Sequence, residues 1–134
     1  MTDQLYQERI MALAKAKTGA GKLANPTRSV RKDNPMCGDR VTIDVRLDNG
    51  RIAEMAHQVR GCLLCQASAA ALASVAVGKD AGGIAAARRE VERALGREPG
   101  TAGEPFSAFA PVAEHKSRQD CVLLPFEALK EALS

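Results

Sequence analysis

Arg40-Val41-Thr42-Ile43-Asp44-Val45-Arg46-Leu47, then Asp48-Asn49-Gly50, then Arg51-Ile52-Ala53-Glu54-Met55-Ala56-His57-Gln58-Val59 is the stretch that decides the fold. In the first segment Val41, Ile43, Val45 and Leu47 alternate with Arg40, Thr42, Asp44 and Arg46, the period of a strand with one face buried. Asp48, Asn49 and Gly50 accept positive φ, which makes them a hairpin turn, and residues 51–59 return as the antiparallel partner. His57 falls on the face of Met55 and Val59, where a packed or hydrogen-bonded ring is expected before a ligand.

Outward from the hairpin the pattern becomes helical. Residues 5–17 carry Leu5, Ile10, Leu13 and Ala14 at helical spacing, and Thr18-Gly19-Ala20-Gly21 ends that helix. Residues 25–33 are polar and irregular, an edge strand or an extended approach to the next turn. Gly61 closes the second strand, and an apolar helix follows over residues 62–77. Lacking a polar face, it must be covered on most sides and so is central. Asp80 can cap a further surface helix running through Leu95. Residues 96–103, with three glycines and Pro99, form a loop, and residues 104–114 form a short apolar piece around Phe106 and Phe109. A last helix over residues 121–133 faces Leu124, Ala128, Leu129 and Ala132 inward. Pro125 is tolerated in a first turn, which puts the start of this helix near Cys121, with Asp120 before it as a cap or gate. The fold class is therefore α+β, a small antiparallel sheet covered on one face by helices.

At 134 residues the chain is expected to form a single domain, residues 1–134. With no Trp, one Tyr and three Phe, its core must be aliphatic and rich in alanine. A net charge of +3, with basic and acidic residues interleaved and few stacking aromatics, argues against nucleic acid as a partner. The first residues lack a signal-peptide pattern, and the longest apolar run is shorter than the roughly 20 residues that span a bilayer. The expectation is a cytoplasmic chain that does not engage a membrane, in which four cysteines are metal ligands or reactive thiols rather than disulfides.

The chemistry gathers at Asn34-Pro35-Met36-Cys37-Gly38-Asp39. Pro35 and Gly38 shape a tight turn that presents a thiol and a carboxylate two residues apart. Cys62 and Cys121 stand at expected helix starts, where unpaired amides and the helix dipole favour a thiolate. Sulfur and carboxylate from separate segments suit a soft or borderline metal such as zinc or iron. Cys62 and Cys65 alone have Cys-x-x-Cys spacing, a weak signal for zinc or redox chemistry, and Cys65, one turn into the apolar helix, reads first as a core residue.

Three motifs in order carry a more specific signal. They are Asn34-Pro35-Met36-Cys37-Gly38-Asp39-Arg40, then Gly61-Cys62 with Gln66-Ala67-Ser68-Ala69, and finally Ser117-Arg118-Gln119-Asp120-Cys121 with Leu124 and Ala128-Leu129. Together they resemble the IscU/SufU/NifU-type iron-sulfur cluster assembly scaffolds, over about residues 5–133. The long stretch between Cys62 and Cys121 resembles the SufU branch. Asp120 departs from the pattern, since a histidine or basic residue precedes the last cysteine in that family, and Cys65 is an addition. The resemblance implies a metal centre of Cys37, Asp39, Cys62 and Cys121, with Cys37 and Cys121 as sulfur acceptors. It implies a transient iron-sulfur cluster, of the 2Fe-2S type, or zinc as the bound group, held by Cys37, Cys62 and Cys121. A cysteine desulfurase would be the sulfur donor and apo-proteins the cluster acceptors. The alternative it leaves open is a zinc-dependent sulfurtransferase. Asp39 is favoured over Asp120 as the oxygen ligand, because three thiolates and two carboxylates exceed what a divalent ion needs.

Overall fold

The computed structural model describes residues 2–36 and 38–134, with the backbone alone for residues 2–6. Cys37 and the side chain of Leu5 lie outside the described residues. The elements in order are α1 (Thr2–Ala16), β1 (Arg28–Asn34), β2 (Asp39–Asp48), β3 (Arg51–Arg60), α2 (Leu63–Ala76), α3 (Ala81–Ala94), a 3-10 helix (Phe106–Glu114) and α4 (Lys116–Ala132). The three strands form one antiparallel sheet in the order β1-β2-β3. The polar segment before the turn is thus an edge strand.

Val41, Ile43 and Val45 are fully buried on the face that α2 and α4 cover. Their partners across β3 are Val59, His57 and Met55, whereas Leu47 pairs with Ile52. A register shift between Arg46 and Leu47 leaves Ala53 as the extra residue. Such a bulge lets Ile52, an even position, share the core face with the odd positions Met55, His57 and Val59. It also moves the far end of the hairpin by one residue, so that Arg40 faces Arg60 and the next residues out, Asp39 and Gly61, come together.

The outer edge of β3 is covered by the chain that leaves α1. Gly19 and Gly21 exchange backbone hydrogen bonds with His57, each 2.9 Å. Leu23 N and Ser29 Oγ donate to the buried Asp44 carboxylate at 3.2 and 2.5 Å. An exposed strand edge that would template further pairing is thereby occupied. His57 is only 4% exposed, and its Nε2 lies 2.7 Å from the Thr18 carbonyl oxygen. It is a packed, hydrogen-bonded ring, as its place in the strand predicts. Its Nδ1 is buried with no hydrogen-bond partner among the described residues.

That arrangement favours the neutral ring. Burial pushes the His57 pKa below its usual value, against the opposing pull of the Thr18 carbonyl. An unfolded chain takes up this proton near pH 6.5, so the His57 contribution is complete above that pH and is lost as pH falls toward the depressed folded-state value. Thermal unfolding midpoints should therefore fall between pH 7 and pH 5, and His57→Gln, which keeps a donor for Thr18 but does not titrate, should flatten that slope. Equal slopes in the two proteins would contradict the assignment.

Asp80 caps α3 by accepting from Gly83 N at 2.9 Å, the role read from sequence, worth about 1 kcal/mol. The last helix differs from its expected bounds. α4 begins at Lys116 with His115 at its N-cap, so Pro125 is interior and fully buried, and Cys121 lies in the body of the helix rather than at its start. Proline there cannot donate to the carbonyl four residues back, a cost of roughly 3 kcal/mol that burial of a whole helical face outweighs. The buried Ser68 hydroxyl of α2 donates to the Val122 carbonyl in the same stretch. Gln119 explains why the helix extends backward. Its buried amide donates to the Leu95 and Ala113 carbonyls, both at 3.2 Å, and accepts from Arg97 Nε at 2.6 Å.

Candidate metal centre

The turn between β1 and β2 is closed by Gly38 N donating to the Asn34 carbonyl at 2.8 Å, with Met36 N bonded to Asn34 Oδ1 at 3.0 Å. Gly38 has φ +74°, a left-handed value that glycine adopts without cost. The chain then enters β2 at Asp39. Being an odd position, Asp39 continues the face of Val41 and Ile43, and so a carboxylate only 2% exposed ends the buried row.

Opposite it, Gly61 joins β3 to α2. A Cβ on Gly61 would come within 2.3 Å of Asp39 Oδ1 and 2.7 Å of Asp39 Cγ, so the absence of a side chain is what admits the carboxylate. Cys62 follows as the N-cap of α2, with extended backbone and no capping bond from its own side chain. Its amide donates to Asp39 Oδ1 at 2.9 Å, and its thiol lies 3.5 Å from Asp39 Oδ2. Asp39 therefore satisfies the amide of the N-cap residue itself, one of the donors that a helix start leaves without a partner in the helix.

α4 packs on β1, β2 and α2 and carries Cys121, 3% exposed, to the same place. One ligand atom each from Asp39, Cys62 and Cys121 lie within 4.8 Å of one another. Ligand atoms around a tetrahedral zinc with Zn–S bonds of about 2.3 Å stand about 3.8 Å apart, so small side-chain rotations would bring these donors onto one ion. Two sulfurs and a carboxylate oxygen are also the donor chemistry that zinc and iron accept.

Other sequence expectations resolve differently. Asp120 is not the N-cap of the last helix, because the helix starts four residues earlier. Its side chain is 65% exposed, 3.9 Å from the Arg97 guanidinium, and it is not one of the grouped donors. Cys65 is 0% exposed, in the core as its place in the apolar helix suggests. Gly61 is the residue whose role the sequence reading missed. The parity conflict between Ile52 and Met55 was its signal, since it implies the bulge that sets Gly61 against Asp39.

The family model described as "NifU-like N terminal domain" matches residues 5–134. The chain belongs to this NifU-like family. Among its relatives, the iron-sulfur cluster assembly scaffold protein IscU of Thermotoga maritima is 27% identical over 96% of this chain and 92% of its own. The zinc-dependent sulfurtransferase SufU of Bacillus subtilis is 33% identical over 58% of this chain and 52% of its own. The crystal structure of a nitrogen-fixing NifU-like protein (N-terminal) from Brucella abortus superposes with a TM-score of 0.87 at 30% identity, covering 98% of this chain and 94% of that one. This NifU-like chain thus has the fold of those scaffolds, a three-stranded antiparallel sheet with helices on one face. No helix among its described residues is long and apolar enough to cross a membrane.

Proposed function

We propose that this protein is an iron-sulfur cluster assembly scaffold that accepts sulfur from a cysteine desulfurase and holds iron or a nascent cluster on Cys37, Cys62 and Cys121, with Asp39 as the oxygen ligand. The observation that carries the reading is the convergence of the Asp39, Cys62 and Cys121 donor atoms within 4.8 Å, from a strand end, a helix N-cap and the body of another helix. Cys37, two residues before Asp39 in the sequence, completes the set in this reading. The IscU relatives of Thermotoga maritima and Streptococcus pyogenes support it.

The chain's own groups divide the work. Cys37 and Cys121 take up sulfur, and the thiolates together hold the 2Fe-2S cargo. Asp39 binds through oxygen, a harder and more readily exchanged donor than sulfur, which suits a cluster destined for apo-protein acceptors in the cytoplasm. Held by the Cys62 amide, its carboxylate needs no rearrangement of the backbone to bind or let go.

The second reading is a zinc-dependent sulfurtransferase, favoured by the mixed sulfur and oxygen donor set and by the SufU relative. A bound zinc would there supply Lewis acidity and hold a thiolate ready for a desulfurase persulfide. Anaerobic incubation with ferrous iron, cysteine and a cysteine desulfurase distinguishes the two. The scaffold reading expects a visible cluster chromophore that passes to an apo-ferredoxin. Zinc retained through the incubation, faster desulfurase turnover and no chromophore would replace it with the sulfurtransferase reading.

A further inference from the structure

Cys65 has no part in the centre just described, yet it stands one helical turn beyond Cys62. Cys62 is the N-cap of α2, and the first turn is closed by Gln66 N donating to the Cys62 carbonyl at 3.2 Å. Positions three apart in a helix share a face with Cβ atoms about 5–6 Å apart, and a disulfide needs about 3.5–4.5 Å, a difference that the non-helical N-cap residue can close. Cys62 is half-buried and Cys65 is fully buried. An outer thiol at a helix start with an inner thiol one turn on is the arrangement of an attacking and a resolving cysteine.

We propose that Cys65 is an internal reductant that converts a persulfide on Cys62 to sulfide. The inference rests on the reading that this protein accepts sulfur at Cys37 and Cys121: the Cys62 thiol attacks the outer sulfur of a Cys121 persulfide, its ligand atom lying within 4.8 Å of the Cys121 sulfur, and Cys121 leaves as the thiol. In the step, the Cys65 sulfur attacks Cys62 Sγ and forms the Cys62–Cys65 disulfide. The bond between Cys62 Sγ and the outer sulfur breaks, and its electron pair leaves with that sulfur, which takes the Cys65 proton and departs as hydrogen sulfide. The sulfane sulfur is reduced by two electrons and the two thiols are oxidised by two. A cluster needs sulfur at the sulfide level, whereas a persulfide delivers it two electrons too oxidised, so the reaction supplies what the site consumes. Rotation of Cys62 about its Cα–Cβ bond takes the outer thiol away from Asp39 Oδ2, 3.5 Å from it at rest. Burial keeps Cys65 from external thiols, so the pair reacts through Cys62. A thiol-disulfide reductant restores the pair for a further cycle.

The test is to treat the full-length reduced protein with glutathione persulfide, without other reductant, and to measure sulfide and intact mass. The wild-type chain is expected to release about one sulfide per chain and to yield a peptide cross-linked between Cys62 and Cys65 that is two mass units lighter than its reduced form. Cys65→Ala, compatible with the alanine-rich helix around it, should release at least tenfold less sulfide and keep the sulfur as persulfide, a gain of about 32 mass units for each sulfur atom held. Cys65→Ser, with thermal unfolding of both variants, guards against misfolding. Equal sulfide release from wild type and both folded variants overturns the inference. So does a persulfide that persists on wild-type Cys62, although the sulfur-acceptor reading then stands. Failure of any chain to take up sulfur overturns both.

Discussion

Asp39→Asn is expected to lower the affinity for zinc at least about 100-fold while leaving the metal-free fold nearly as stable as before, because loss of an outer-shell partner alone costs 10- to 100-fold. The asparagine carbonyl can still accept from the Cys62 amide, the 2.9 Å bond that starts α2. Asp39→Ala removes that acceptor too and should cost about 1 kcal/mol more, or roughly 4 °C in unfolding midpoint with metal chelated. The contrast separates ligation from capping. Zinc retained at wild-type affinity in Asp39→Asn would remove this carboxylate from the centre.

Gly61→Ala should have a comparable effect on metal binding without altering any donor. Its Cβ would stand 2.3 Å from Asp39 Oδ1, and Asp39 Cβ at 3.0 Å leaves little room for the side chain to retreat as a whole. The carboxylate must swing out, which breaks its bond to the Cys62 amide. Overpacking of this kind costs about 1–3 kcal/mol. Since the clash is with Asp39 alone among the nearest atoms, Gly61→Ala in an Asp39→Ala background should cost at least about 1 kcal/mol less than in the wild type. Denaturant unfolding of the four proteins measures that coupling, and strict additivity would contradict the steric account.

How far the sequence discloses this centre varies with the element. The alternation of Val41, Ile43, Val45 and Leu47 reports burial of one sheet face directly, because side-chain direction in a strand has period two. Extended back by one step, it points Asp39 toward the core. α2 was legible from its lack of a polar face. The start of α4 was not, because the penalty of an interior proline is visible in the sequence, while the tertiary bonds of Gln119 and the burial that offset it are not. Misplacing that start also made Asp120 an N-cap and put Cys121 at a helix end. The candidate donors are named by their motifs, whereas the bulge at Ala53 that brings Gly61 opposite Asp39 shows in the sequence only as the parity conflict between Ile52 and Met55. Cys65 was correctly placed in the core, and its relation to Cys62 follows from where the helix begins.

We propose that Asp39, Cys62 and Cys121, together with Cys37, ligate one metal ion. Zinc K-edge X-ray absorption on the metal-loaded protein reads that ligand set. Three sulfurs at about 2.3 Å and one oxygen at about 2.0–2.2 Å are expected around the ion. A first shell of nitrogen and oxygen alone, with no sulfur scattering, would contradict it.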